Sequence, residues 1–426
     1  MRGDLRRAIT AFLIISGPVD EHVQRLRSFT PREWERQLHW LSLSGLALTF
    51  WQRLQNSSAE GAIPPRVRTA LRGYYSDHCQ RVAVLRDEFD SLNRRFECAG
   101  VEHAVWKGFA LIPEYCPDAC LRPSYDYDYL ISRDTWKLAQ KELQDSGYVC
   151  KTDPGTGTRR TFRPRLASPV VPPTPQGLYS STLPRKVELH LDPWDGRSLR
   201  ISLRVPDHPL DRRVRRSWQG LDFYSLNAHD TFIFQALHAF QHILHNWCRL
   251  GWLWEIAHFL ESRSADSPFW QEMSASLDID EPLAQVVALV VHLAGGLFQA
   301  PSPVPIKDKL LGAIRGRLTQ WVERYGMASA LDNFHGDKSA LLLHREFVRD
   351  PGDWREIRRK RLFPFHNPNR FVGSVAPGAS APLPESCIQG AYVVRRLIHH
   401  LLTGVGYAWE SARWKYRRRG GAARLS

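Results

Sequence analysis

In the stretch Tyr125-Asp126-Tyr127-Asp128-Tyr129-Leu130-Ile131, acidic and aromatic side chains alternate from Tyr125 to Tyr129. This alternation predicts a β-strand. Successive side chains of a strand point to opposite sides, so Asp126 and Asp128 share one face and the tyrosines take the other. Aspartate is uncommon in strands, and two neighbouring carboxylates repel each other. Two interpretations are open: a divalent cation bound through oxygen ligands lies at the aspartates, or they form a solvated acidic face on an edge strand.

A second strand is predicted over residues 187–191, which read Val-Glu-Leu-His-Leu. Its apolar residues face the core, while Glu188 and His190 share the opposite face. If this strand pairs with the first, Glu188 joins Asp126 and Asp128, and three carboxylates meet at one edge of the sheet. That number is expected for a two-metal phosphoryl-transfer site. His190, beside Glu188, is a candidate polar contact with a substrate.

The residues ahead of the acidic strand offer candidate phosphate contacts. A strand is predicted over 102–106, and Lys107-Gly108 then turns the chain into a short helix. Glycine lets the backbone approach a ligand, and free N–H groups at the start of a helix can bind phosphate. Arg122, just before the acidic strand, is a further phosphate candidate. The succession of strand, helix and strand indicates an α/β or α+β unit.

Periodicity and composition divide the chain into four regions. Residues 1–97 are predicted to be helical. Residues 98–225 hold the strand candidates and include a surface loop at 153–185 that is rich in Pro, Gly and Arg. Residues 226–345 are again predicted to be helical, and residues 346–426 form a basic C-terminal extension.

Composition indicates a folded globular chain. Hydrophobic residues make up 43% and charged residues 24% of the sequence, close to the average of soluble domains, which excludes wholesale disorder. The longest apolar run, Val286 to Phe298, is shorter than the ~18 residues needed to cross a bilayer. The seven cysteines are too few and too scattered for a disulfide framework, so we expect reduced thiols and a cytoplasmic protein.

The charge balance points to an anionic partner. The chain has 58 Lys and Arg against 44 Asp and Glu, a formal net charge of +14, which favours phosphate-rich partners. The stretch Arg413-Trp-Lys-Tyr-Arg-Arg-Arg419 mixes basic and aromatic residues at the end of a predicted helix over 388–419. Three interpretations are open: contact with nucleic acid, peripheral contact with an anionic membrane surface, or a solvated helix end.

Three histidines share one stripe of the helix predicted over 231–247. His238, His242 and His245 follow one another at helical spacing. They form either a zinc site or a set of hydrogen-bonded histidines near the sheet, and no glutamate follows the first of them as the H-E-x-x-H zinc motif requires.

The order of these motifs resembles that of bacterial nucleotidyltransferase-like proteins of the DNA polymerase β superfamily. The stretches that carry the core resemblance are Lys107-Gly108, Arg122-Pro123-x-x-Asp126-x-Asp128-x-Leu130-Ile131 and Glu188-x-His190. Four further stretches resemble the helical part of that group, namely Leu226-Asn-Ala-His-Asp230, His238-x-x-x-His242, Leu250-Gly-Trp-Leu-Trp-Glu255-Ile and Leu362-Phe363-Pro364. The resemblance implies an α+β fold, in which a small mixed β-sheet core is flanked by helical N- and C-terminal regions.

The resemblance also implies a function. The chain would bind a nucleoside triphosphate with two Mg²⁺ (or Mn²⁺) ions and transfer the nucleoside monophosphate to an acceptor that the sequence does not identify. Asp126 and Asp128 would hold both metals. Glu188 would bind the catalytic metal and help deprotonate the acceptor hydroxyl, and Lys107 and Gly108 would cradle the phosphates.

Two alternatives to an enzyme remain open at this stage. The wider superfamily has Gly-Ser where this chain has Lys107-Gly108, so the serine hydroxyl that contacts phosphate there has no counterpart here. A non-catalytic nucleotide- or RNA-binding protein with the same fold fits that difference. A structural or partner-binding protein, in which the acidic strand is only a surface feature, is the other alternative.

Overall fold

The computed structural model describes residues 2–151, 158–165, 177–180, 185–332, 338–362 and 385–422. Over these residues the chain has an α+β fold with one seven-stranded mixed sheet, which confirms the predicted fold class. The strands are β1 (His103–Val105), β2 (Asp126–Ile131), β3 (Tyr148–Lys151), β4 (Arg159–Pro164), β5 (Lys186–His190), β6 (Val214–Trp218) and β7 (Leu221–Ser225).

In the sequence, helices precede the strands, lie between them and follow them. Those before and between the strands are α1 (Arg2–Phe12), α2 (Asp20–Arg27), α3 (Pro31–Leu43), α4 (Ala47–Asn56), α5 (Pro65–Cys98), α6 (Trp136–Asp145) and α7 (Gly196–Leu199). Those after the strands are α8 (Ala228–Leu244), α9 (Leu250–Ser262), α10 (Ser267–Leu277), α11 (Glu281–Phe298), α12 (Val304–Ala313), α13 (Arg317–Trp321), α14 (Met327–Leu331), α15 (Ser339–Phe347), α16 (Pro351–Leu362) and α17 (Glu385–Ala422).

The acidic strand lies in the interior of the sheet. The strand order is β3-β4-β5-β2-β1-β7-β6, so β2 has a neighbour on each side. It pairs antiparallel with β1 and parallel with β5. The interpretation of the aspartates as a solvated face on an edge strand is therefore wrong.

The tyrosine face of β2 is the core face of the sheet. Tyr127 and Tyr129 are buried, and the ring of Phe89 on α5 lies 6.0 Å from Tyr127 and 6.5 Å from Tyr129. The Tyr127 hydroxyl donates to the Glu88 carboxylate at 2.9 Å, and the Tyr129 hydroxyl accepts from Asn93 Nδ2 at 3.1 Å, so both buried hydroxyls have partners. Because α5 covers the tyrosines, the aspartates are left on the opposite face.

The stretch predicted as a loop at 153–185 contains regular structure where it is described. β4 and a 3₁₀ helix, Gly177–Tyr179, lie within it. β4 pairs antiparallel with both β3 and β5. These ladder hydrogen bonds outweigh the local Pro and Gly content, so the loop prediction is wrong for β4. Residues 153–157, 166–176 and 181–184 of that stretch lie outside the described residues.

The chain forms two compact units. The first comprises Met1–Asp195, Leu203–Phe240 and Cys248–Arg315, and it contains the whole sheet. The second comprises Gly196–Ser202, Gln241–Trp247 and Gly316–Ser426, and α13 to α17 belong to it. The division into four regions made from the sequence stays a prediction.

One helix described by the structure, α11, is long and apolar enough to cross a membrane by length and hydropathy. Its 18-residue window is 67% buried inside the protein, as expected of the core helix of a folded unit. Within the described residues, Cys79, Cys98, Cys116, Cys120 and Cys248 are free thiols.

Candidate active site

The parallel pairing of β2 and β5 brings the predicted acidic residues together. In the register of the two strands Asp128 lies opposite Glu188, Asp126 opposite Lys186, and Leu130 opposite His190. The sequence could state this pairing only as a condition, and the structure fulfils it. Because opposed residues of neighbouring strands point to the same side, Asp128 and Glu188 share the face that α5 leaves uncovered.

Asp128 is the most deeply buried member of the cluster, with a side chain only 3% exposed. Its Oδ1 lies 3.1 Å from Lys107 Nζ and 3.1 Å from His190 Nε2. The same His190 nitrogen lies 3.7 Å from Glu188 Oε2. One ligand atom from each of Asp128, Glu188 and His190 falls within 4.8 Å of the other two. Among the described residues this is the single group of three His, Cys, Asp or Glu side chains close enough to hold a metal ion.

Asp126 lies beside this group rather than within it. The predicted metal ligands were Asp126, Asp128 and Glu188, whereas the structure groups Asp128 and Glu188 with His190. Burial, followed by the negative charges of Asp128 and Glu188, raises the pKa of Asp126 to about 6. Asp126 therefore lies close enough to both carboxylates for their charges to shift its pKa.

The pKa values of the two other carboxylates, Glu188 and Asp128, shift in opposite directions. Burial and the charge of Asp128 raise the pKa of Glu188. Burial alone would also raise the pKa of Asp128, but the Lys107 ammonium and the hydrogen bond with His190 lower it well below its usual range. Burial lowers the pKa of His190, so near neutral pH its ring is uncharged. Since the Asp128 carboxylate can only accept, the proton of the His190 ring must lie on Nε2.

The donor set fits a divalent cation. Carboxylate oxygens are the ligands that Mg²⁺ and Mn²⁺ prefer, and a histidine nitrogen is compatible with Mn²⁺. The raised pKa values of Asp126 and Glu188 show that their negative charges are held at a cost in this buried site. A dication among them would remove that cost.

Lys107 and Gly108 follow β1 after Trp106, and the Lys107 ammonium contacts the cluster at Asp128. Gly108 has a φ of +63°, in the left-handed region that favours glycine, and begins a 3₁₀ helix, Gly108–Leu111. The Lys107 ammonium, besides its ion pair with Asp128, lies 4.0 Å from the centre of the Trp106 ring. Lys107 therefore already occupies the position at Asp128 where a cation would bind.

Arg122 lies in a different environment. Its Nε forms an ion pair with Glu255 Oε1 on α9 at 3.0 Å, and both side chains are only 10% exposed. Its Nη1 donates to Ser124 Oγ at 3.1 Å, and its carbonyl oxygen lies 3.0 Å from His78 Nε2 on α5. Arg122 thus ties the segment before β2 to two helices, and its predicted role in phosphate binding stays a prediction.

Two cations near the cluster were missed by the sequence reasoning. Lys186 lies opposite Asp126, and its charge favours the ionised forms of Asp126 and Glu188. Its position two residues before Glu188 in one strand was a usable signal, because such residues share a face. Arg159, opposite His190 on β4, also favours ionised Glu188. No signal was available for Arg159, since its strand lies in the stretch predicted as a loop.

Aromatic side chains adjoin the cluster. The Trp106 ring lies edge-on to His190 at 5.3 Å and to His238 at 6.5 Å. His238 in turn lies 4.6 Å from Trp252. His238 therefore belongs to an aromatic row beside the acidic cluster. In the second unit, the His242 ring lies 5.2 Å from Trp247.

The zinc interpretation of the histidine stripe gains no support within the described residues. His238, His242 and His245 do not belong to any described group of three side chains that could hold a metal. The rings of the first two contact aromatic side chains instead.

Comparison with known proteins identifies the family. The chain matches no curated protein and no solved structure. A family model described as an uncharacterised nucleotidyltransferase matches residues 30–295, which include the whole sheet and the acidic cluster. The match spans more than half of the chain and agrees with the resemblance carried by the Lys107-Gly108, β2 and β5 motifs. This protein therefore belongs to that nucleotidyltransferase family.

Proposed function

We propose that the protein transfers a nucleoside monophosphate from a nucleoside triphosphate to an acceptor hydroxyl, with Mg²⁺ or Mn²⁺ held by Asp126, Asp128 and Glu188. The acceptor oxygen forms a bond to the α-phosphorus, the bond from that phosphorus to the bridging oxygen breaks, and pyrophosphate leaves. The observation that carries the proposal is the pairing of Asp128 with Glu188 on adjacent parallel strands of a nucleotidyltransferase-family chain.

Glu188, Asp128 and His190 take different roles in the proposed reaction because their charges and pKa values differ. The pKa of Glu188 is raised whereas that of Asp128 is lowered, which makes Glu188 the better base of these two for the proton of the acceptor hydroxyl. Asp128 stays ionised, and the Nε2–H of His190 fixes the orientation of its carboxylate. A divalent cation bound at these carboxylates would supply Lewis-acid stabilisation of charge on the phosphoryl oxygens.

Positive side chains border the cluster where a triphosphate would lie. Lys107 and Gly108 keep their predicted role as phosphate contacts, and Lys107 would exchange its contact with Asp128 for one with phosphate. Lys186 on β5 and Arg159 on β4 add positive charge near Glu188. These cations would position the triphosphate and neutralise charge in the transition state without covalent chemistry. Arg122 is retained as a predicted phosphate contact.

Ligand-dependent thermal stability tests the proposal without knowledge of the acceptor. Melting of the wild-type chain is measured with each of the four common nucleoside triphosphates, with and without Mg²⁺ or Mn²⁺. A ligand present at about 100 times its Kd adds ~2.7 kcal/mol of stability. We expect stabilisation that requires the metal and that disappears in the double variant Asp126→Asn/Asp128→Asn.

The matched control is Asp145→Asn/Asp278→Asn. These two aspartates are exposed and paired with Lys141 and Lys309, so the control removes the same number of charges away from the cluster. Stabilisation that is equal with and without metal, and equal in both double variants, would show a nucleotide-binding protein that does not use these aspartates. Stabilisation by no triphosphate would overturn the proposal.

A further inference from the structure

Helix α17 belongs to the second unit and packs against the rest of that unit through its polar and aromatic side. The Glu410 carboxylate accepts from Arg324 at 2.8 Å and also from the Tyr325 hydroxyl. The Trp414 ring lies 6.3 Å from the Tyr325 ring. Glu410 and Trp414 are four residues apart and therefore lie on the same side of the helix. This side holds the helix in place.

The opposite side of α17 is apolar and faces solvent. Seven large hydrophobic residues there are between 52% and 72% exposed, namely Val394, Leu397, Ile398, Leu401, Leu402, Val405 and Trp409. At 100° per residue their side chains fall within an arc of about 140°, and Glu410 and Trp414 lie across the helix axis from it. We call these seven residues the apolar stripe. A surface helix usually turns its apolar side toward the protein. In α17 the polar side faces the protein and the apolar side faces solvent.

The apolar stripe concentrates exposed hydrophobic surface in one place. Fourteen large hydrophobic residues are exposed in the described chain, and seven of them belong to this one helix. Scattered single residues of this kind need no explanation, but a continuous exposed patch indicates a binding surface.

The charge around the apolar stripe identifies its partner. The sequence of α17 contains seven Lys and Arg residues against two Glu, and one of these, Glu410, is engaged with Arg324. Arg395 and Arg413 are exposed near the two ends of the apolar stripe. Two copies of so basic a helix repel each other, whereas an anionic lipid surface attracts the flanking cations and accepts the apolar residues.

We propose that α17 binds anionic membrane surfaces, lying in the interface with the apolar stripe inserted among the lipid chains. Trp409 is suited to this position, because tryptophan is enriched at the level of the lipid headgroups. The binding is peripheral and needs no spanning segment. It is independent of the nucleotidyltransferase proposal, which rests on the first unit.

Vesicle sedimentation with the full chain tests the inference. Wild-type protein is centrifuged with vesicles of phosphatidylcholine alone and of phosphatidylcholine with phosphatidylglycerol, and the bound fraction gives a partition coefficient. The test variant is Leu401→Glu/Val405→Glu. The matched control is Ile279→Glu/Leu311→Glu, which replaces two exposed apolar residues outside the second unit with the same change in charge.

We expect the wild type and the control to sediment with anionic vesicles, and we expect at least a tenfold lower partition coefficient for the test variant and for neutral vesicles. Equal binding by the test variant and the control would overturn the inference, as would a wild type that does not sediment with anionic vesicles. Light scattering during gel filtration gives the remaining outcome: a wild-type dimer that the test variant converts to a monomer would assign the apolar stripe to a second copy of the chain. Equal melting temperatures of the two variants would show that any loss of binding is not a loss of folding.

Discussion

The ammonium of Lys107 and the carboxylate of Asp128 form an ion pair of 3.1 Å in the candidate active site, with side chains only 15% and 3% exposed. Lys107 comes from the turn after β1 and Asp128 from the middle of β2. The pair therefore joins the predicted phosphate-binding turn to the predicted metal-binding strand.

Replacing Lys107 should affect metal and nucleotide binding in opposite directions. In Lys107→Met, a cation at Asp128 no longer competes with the ammonium, so Mn²⁺ should bind more tightly to the nucleotide-free protein. Triphosphate binding in the presence of Mn²⁺ should weaken at least tenfold, because a phosphate contact is lost. Isothermal titration calorimetry measures both affinities.

The control for this prediction is Lys141→Met, which removes an exposed lysine paired with Asp145 at 2.7 Å. It should leave both affinities unchanged. Unaltered Mn²⁺ affinity in Lys107→Met would contradict the view that Lys107 stands in for a cation at Asp128.

The buried pair of Arg122 and Glu255 should matter for stability. Glu255→Gln leaves the Arg122 charge buried without its partner, which costs about 3 kcal/mol. The double variant Arg122→Met/Glu255→Met removes both charges and should recover most of that loss. Urea denaturation of the single and double variants measures the free energy of unfolding. A double variant that is no more stable than Glu255→Gln would mean that the two side chains do not act as a pair.

His78 should make stability depend on pH. Burial lowers its pKa from 6.5 to about 4, so the unfolded chain takes up a proton at this residue before the folded chain does. The contribution of neutral His78 to the free energy of unfolding is present above pH 6.5 and is lost as the pH falls toward 4. About 2 kcal/mol of it is lost between pH 7 and pH 5. The difference in unfolding free energy between the wild type and His78→Gln should therefore change by that amount. A difference that is constant with pH would show that His78 does not titrate in this way.

Two glycines should respond oppositely to alanine. Gly108→Ala places a side chain at a φ of +63° and should cost about 1 kcal/mol, although the added Cβ meets no atom within 4 Å. Gly73, in the middle of α5, also has no atom within 4 Å of an added Cβ, and Gly73→Ala should stabilise by about 1 kcal/mol. Thermal denaturation compares the two variants. Triphosphate binding should weaken only in Gly108→Ala.

The sequence was most informative where side-chain period and chemistry coincide. The alternation of Asp and Tyr predicted both the position of β2 and the division of its faces, and the same argument placed Glu188 and His190 together. The fold class and the family followed from the order of these strands. Each of these predictions needed only local spacing or motif order.

The remaining features depend on contacts between distant residues. β4 forms because β3 and β5 lie on either side of it, although it lies within a stretch rich in Pro and Gly. The ion pairs of Lys107 with Asp128 and of Arg122 with Glu255 require the folded arrangement of separate elements. The amphipathic pattern of α17 is visible in the sequence, but a pattern does not say which side of a helix packs on the protein.

The parallel pairing of β2 and β5 also has a consequence for folding. Asp128 and His190 are 62 positions apart in the chain. The strands β3 and β4 lie between them in the sequence. Long-range parallel pairing forms slowly because the chain loses loop entropy before the contacts compensate it. A metal ion held by Asp126, Asp128 and Glu188 would bind only the paired strands, so its binding free energy would add to the stability of the sheet. Metal supply would then help determine how much of the newly made chain reaches its folded state.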